Sequence, residues 1–145
     1  MIYIAGDNNS YNIIQNLEKY FKLKNLDYVN LGVKGSNEDM KLEEFIPDVV
    51  TEVLKNENNL GILSCGTGVG VEVGANKFKG IRACLATDEK IAEWSVVYDK
   101  CNVLCLAGWG AEEDKVIKIV KTWLNSEYDG DINRLKMFEV FDSWK

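Results

Sequence analysis

Apolar residues recur along this chain in two rhythms that take turns. Short continuous runs at 1–5, 28–31, 60–64, 81–86 and 102–107 have the length and composition of buried strands. Between them, apolar positions return every three or four residues. Ile13, Ile14, Leu17, Tyr20 and Phe21 mark a helix over 11–24. A second helix is expected from about Phe45, with Pro47 in its first turn and Val49, Val50, Val53 and Leu54 buried. A short helix over about 71–76 follows the third strand. Thr87-Asp88 reads as the cap of a helix running to about Tyr98. Residues 112–125 form a longer one, with Ile117, Val120, Trp123 and Leu124 on one face. Ile132, Leu135, Phe138 and Phe141 predict a last helix with no strand after it. Strand and helix alternate five times, which calls for a mostly parallel sheet with helices on both faces. Right-handed crossovers then restrict the topology. The aromatic last helix either completes the core or reaches onto a second subunit.

Composition narrows the class. At 145 residues, 46% apolar and 28% charged, the chain reads as one α/β domain spanning 1–145. No apolar run is long enough to span a membrane, and residues 1–6 start a strand with no basic stretch before it, so no secretory leader is expected. The net charge of −6 argues against a nucleic-acid partner, whose phosphates need clustered cations. Cys65, Cys84, Cys101 and Cys105 are scattered or sit in apolar runs, which suits reduced thiols and a cytoplasmic location. There is no histidine, so neither histidine acid–base chemistry nor histidine metal ligation is available.

Chemistry concentrates where the third strand ends. The run 60–64 leads into Cys65-Gly66-Thr67-Gly68-Val69-Gly70, a polar atom on a strand end followed by a turn whose amides can approach a ligand. Cys65 reads equally as a base or nucleophile and as a small buried residue. By the logic of a parallel sheet, Asp7, Asp88 and Gly108-Trp109 end strands on the same edge. Asp7 reads as a substrate ligand or as a turn cap, and the cap is the more ordinary use. The glycine loop could take phosphate, a dinucleotide or an oxyanion. No Gly-Lys-Ser/Thr follows it, so it is not a P-loop, and 71–79 is short for a dinucleotide crossover helix.

Three segments taken together are similar to the type B ribose-5-phosphate isomerases and the related galactose-6-phosphate isomerase subunits. They are residues 65–70, the run Ala75-Asn76-Lys77-Phe78-Lys79-Gly80-Ile81-Arg82-Ala83, and Asn102-Val103-Leu104-Cys105-Leu106. Gly6-Asp7, Ile46-Pro47-Asp48 and Tyr128-Asp129-Gly130 fall where that family has similar pieces. The resemblance covers almost the whole chain. It implies a five-stranded Rossmann-like α/β/α fold and a homodimer, in some members a tetramer, with active sites at the subunit interface. The implied reaction is aldose–ketose interconversion of a sugar or sugar phosphate through an enediolate, with no metal or other cofactor. Cys65 becomes the base. Gly66, Thr67, Gly68, Val69 and Gly70 supply amides to the enediolate oxygen, Thr67 assists ring opening, Asp7 and Asn76 hold hydroxyls, and Asn8 joins the substrate-binding set.

The departures are on the opposite wall. Asn8 stands where the family has histidine, Tyr98 (beside Asp99) aligns with the ring-opening histidine, and Trp109 aligns with an arginine. Ile132, Asn133 and Lys136 align with the C-terminal cluster that grips phosphate, with Arg134 nearby. The implied set is thus Cys65, Thr67, Tyr98 and Asp99 for chemistry, with Arg134, Lys136 or Lys77 for phosphate. Trp109 serves as a sugar wall or as a packing aromatic. Two functions remain: an isomerase of altered substrate choice, or a non-catalytic sugar-binding subunit of a hetero-oligomer.

Overall fold

The computed structural model describes all residues, 1–145. The strands are β1 Ile2–Gly6, β2 Tyr28–Asn30, β3 Leu60–Cys65, β4 Ala83–Leu85 and β5 Val103–Ala107. The helices are α1 Tyr11–Leu23, α2 Leu42–Leu54, α3 Val69–Ala75, α4 Glu89–Val97, α5 Glu113–Asn125 and α6 Ile132–Asp142, with one 3-10 turn at Asn8–Ser10. All strands are parallel, in the order β2-β1-β3-β5-β4. The expected three-layer α/β/α architecture is thereby present.

Side-chain alternation divides the sheet into two cores. Ile2, Ile4, Ile62, Leu104 and Leu106 pack with α1, α4 and α5 on one face. Ala5, Leu63, Cys65, Val103 and Cys105 pack with α2 and α3 on the other. Both ends of each crossover are therefore held by apolar burial, and every carboxyl strand end faces the same edge. Chain order reverses between β1 and β3, so that edge has its switch point beside Asp7 and Cys65.

Several boundaries differ from expectation for local reasons. α2 starts at Leu42, not Phe45, because the Glu44 carboxylate accepts the Lys41 N–H at 2.7 Å and closes the first turn early. Pro47 therefore lies in the second turn. Leu54, expected to be buried, is exposed. On α5 the buried face is Val116, Ile119, Val120 and Trp123, with Ile117 and Leu124 at its margins. The fourth strand contracts to three residues, and Arg82 stands just before it, its N–H taken by Asn102 Oδ1 at 2.8 Å. α6 forms as expected but buries none of its residues.

Candidate active site

The site begins where β3 stops. Cys65 is 5% exposed, on the α2/α3 face of the sheet. The next three residues leave the strand and precede α3. Their backbone N–H groups, on Gly66, Thr67 and Gly68, make no hydrogen bond within the chain. Three consecutive amides without a partner, next in sequence to a thiol, are donors available to a negatively charged ligand.

Two glycines make this shape possible. Gly68 has φ +75°, and a Cβ there would lie 2.5 Å from Leu85 Cδ1 and 3.0 Å from the Ala107 nitrogen. Gly66 lies beneath Trp109, and a Cβ on it would sit 2.5 Å from the indole Cε2. Thr67 Oγ1 accepts the Val69 N–H at 3.2 Å, so α3 begins two residues earlier than expected. Val69 and Gly70 are thus the first residues of α3 rather than loop, and space above Gly70 is shared by Leu42 and the Cys65 sulfur.

Neighbouring strand ends brace the loop. Gly108 donates its N–H to the Cys65 carbonyl at 2.7 Å, and Trp109 donates its own to the Gly66 carbonyl at 2.9 Å. Ser64 Oγ donates to the Leu106 carbonyl at 2.8 Å. Asp7 is buried after β1, and its Oδ1 accepts the Asn9 N–H at 3.1 Å and Ser10 Oγ at 3.3 Å. The capping use of Asp7 is therefore realised. Asn8 is exposed beside it, with its N–H on Asp39 Oδ1. Trp109 is 64% exposed, so one indole face covers Gly66 and much of the ring remains open to solvent.

Other expected site residues lie elsewhere in a single copy. The Asn76 side chain is spent on β4: Nδ2 donates to the Ala83 carbonyl and Oδ1 accepts the Ala83 N–H, both at 2.9 Å. With Glu72 Oε1 accepting the Leu85 N–H, it closes the free edge of that strand rather than offering itself to a sugar hydroxyl. Tyr98 and Asp99 follow α4, which runs back across the sheet, so they sit at the amino edge, opposite Cys65. Arg134 joins them there, its Nη1 donating to Asp99 Oδ1 at 2.7 Å and to the Tyr98 carbonyl at 3.2 Å. Lys136 is exposed on the same helix. One copy therefore brings together Asp7, Asn8, Cys65, Gly66, Thr67, Gly68, Val69, Gly70 and Trp109, but not Asn76, Tyr98, Asp99, Arg134 or Lys136. Sequence reasoning missed Asn9, which links Asp7 to Trp109. A lone asparagine in a polar turn carries no signal of that use.

Residues 2–138 match the profile of the family described as Ribose/Galactose Isomerase. The chain belongs to that family. Its fold superposes on a ribose 5-phosphate isomerase of the B type from Thermotoga maritima with a TM-score of 0.91 at 28% identity, covering 98% of this chain and 97% of that one. The ribose-5-phosphate isomerase B of Mycoplasma genitalium, solved with bound ribulose-5-phosphate, gives 0.90 at 33% identity, over 99% and 94% of the two chains. A D-erythrulose-4-phosphate isomerase 2 of Mycolicibacterium smegmatis is 32% identical over 130 residues, 88% of this chain and 86% of that protein. The expected resemblance therefore stands, and the chain is an aldose–ketose isomerase. No helix is long and apolar enough to cross a membrane.

Proposed function

We propose that the chain interconverts a phosphorylated aldose and its 2-ketose through an enediolate, with Cys65 as the base and the loop at Gly66–Gly68 as the anion hole. The observation that carries this reading is the run of three unbonded amides directly after the Cys65 thiol. An open-chain aldose places C2 beside the sulfur and its carbonyl oxygen, O1, at the amides. Cys65 takes the C2 proton. The C–H electron pair forms the C1–C2 double bond, and the carbonyl pair moves onto O1. Donors already aimed at O1 stabilise that charge without reorganising, which lowers the barrier more than it aids binding. The thiol then returns its proton to C1 while the O2 hydroxyl proton passes to O1, which leaves the ketose. No atom is gained or lost.

A second copy completes the site in this reading. Tyr98, Asp99, Arg134 and Lys136 lie on the edge remote from Cys65, so only a partner subunit delivers them. Ring opening then falls to Thr67 with the partner's Tyr98 or Asp99, and the phosphate to Arg134 and Lys136. Trp109 offers its exposed ring surface as the sugar wall. The substrate class follows from the relatives that act on or hold sugar phosphates.

The test is proton exchange. Wild type incubated with ribulose-5-phosphate in deuterated water is expected to incorporate deuterium at C1 or C2, read by NMR. Cys65→Ala is expected to lose that exchange by at least about a hundredfold, the scale of general-base catalysis. Exchange at the wild-type rate in the variant removes Cys65 from the mechanism. Wild type that gains thermal stability from sugar phosphates yet turns over none of them favours the non-catalytic subunit instead.

A further inference from the structure

The loops after β1 and β5 are tied together above the glycine loop by a bridge that takes no part in the proton transfer. Asn9 Nδ2 donates to Asp7 Oδ2 at 3.3 Å, and Asn9 Oδ1 accepts the Trp109 indole N–H at 3.2 Å. The two bonded residues of the second contact are 100 positions apart in sequence. The fit is chemically selective. The Asp7 side chain accepts at both of its oxygens here, and an indole N–H only donates. A side chain joining them must present a donor at one end and an acceptor at the other, which a carboxamide does and a carboxylate or alkyl group does not. The Asn9 backbone is fixed as well: its N–H goes to Asp7 Oδ1, and its carbonyl passes so near Gly108 that a Cβ there would collide with the oxygen.

The other end of the bridge rests on the catalytic loop. Trp109 holds the Gly66 carbonyl through its backbone and lays its ring across the Gly66 Cα. An indole 64% exposed would otherwise be free to change rotamer. Its one side-chain hydrogen bond, to Asn9, selects the rotamer that covers Gly66.

We propose that Asn9 and Trp109 are positioning residues, which together hold the Gly66, Thr67 and Gly68 amides in register with the Cys65 sulfur. This rests on the assignment of Cys65 and the anion hole above. The device works in the transition state. Amides that are displaced still admit the sugar, but they meet the developing charge on O1 less well.

The experiment pairs kinetics with a direct view of the loop. Wild type, Asn9→Leu, Trp109→Phe and the double variant are assayed on ribulose-5-phosphate, and the amide resonances of residues 66–68 are followed in nitrogen-15 spectra. Trp109→Phe keeps a ring over Gly66 and deletes the N–H. Each single change is expected to lower kcat by about 10- to 100-fold, the scale of a small misplacement, with KM within about twofold of wild type. The double variant is expected to fall no further than the worse single, because both remove one bridge. The three amide resonances are expected to shift in both singles. Multiplicative losses, an effect confined to KM, or unmoved amides overturn the proposal, and so do shifted amides with an unchanged kcat. The amide spectra judge the bridge even if Cys65→Ala retains turnover, so failure of the base assignment is distinguishable from failure of the tether.

Discussion

Four thiols occur in the chain, and their surroundings separate them. Cys65 ends a strand beside free amides, whereas Cys101 and Cys105 lie inside the cores and Cys84 is half-buried on β4. Burial pushes the Cys101 thiol up to about 12 from an ordinary 9.0, and it raises Cys105 as well. Such a thiol keeps its proton in the folded chain after the unfolded chain has lost it. Its contribution to stability is complete below pH 9.0, where both states are protonated, and is lost as pH rises from there to about 12. The melting temperature is expected to drop across that window, and to drop less steeply in Cys101→Ala. An equal slope in the two proteins would show that this thiol is not the titrating group. The sequence ranked Cys65 apart from the other three because only it is followed by alternating glycines. It could not rank Asn9, whose two partners come from different ends of the chain.

Among the elements, α3 and α6 carry the clearest lessons. α3 is a seven-residue crossover that serves β4 along its length, through Glu72 to Leu85 and Asn76 to Ala83. It supplies ladder partners to an edge strand that has a neighbour on one side only. Asn76→Ala is expected to cost about 1–3 kcal/mol by leaving both Ala83 backbone groups unpaired. Chemical denaturation measures this, and a loss seen only in KM, with stability intact, would return Asn76 to the substrate. α6 has a helical pattern of apolar residues, and a helix is what forms. Yet Ile132, Val140, Phe141 and Trp144 stay exposed. The helix is held by polar anchors instead: Arg134 on Asp99, Asp142 on the Gly80 N–H, and the Arg82 guanidinium over the Phe138 ring at 5.6 Å. Periodicity fixes the conformation of such a segment, but not what covers it.

At the scale of the whole molecule the proposed site residues lie on opposite edges of one sheet. The thiol ends β3 and the amides follow it, while Tyr98, Asp99 and Arg134 gather beyond the other ends of the strands, with Lys136 exposed on the same helix as Arg134. If two copies share each site, defects in the two halves complement. Cys65→Ala and Arg134→Ala, each inactive alone, are expected to recover about one quarter of wild-type activity after being unfolded together and refolded. Random pairing makes half the dimers mixed, and a mixed dimer has one of its two sites intact. No recovery, with mixed dimers demonstrated, would mean that each copy carries its own complete site.

By itself the sequence determined the alternation of strands and helices and the parallel sheet that alternation demands, and it marked the strand end on which the proposed chemistry sits. These are written in local signals: runs of apolar residues, helical spacing, and glycines where backbone must pass close to other atoms. Tertiary structure decided what depends on distance along the chain. It placed β1 beside β3 and so created the switch point at Cys65. It turned Asn76 from a candidate hydroxyl ligand into the partner of an edge strand, and it sent Tyr98, Asp99 and Arg134 to the far edge. It also laid Trp109 over Gly66 and fastened it to Asn9. Each of these outcomes depends on which side chains meet after the crossovers close, and no local pattern encodes a hydrogen bond between residues 100 positions apart.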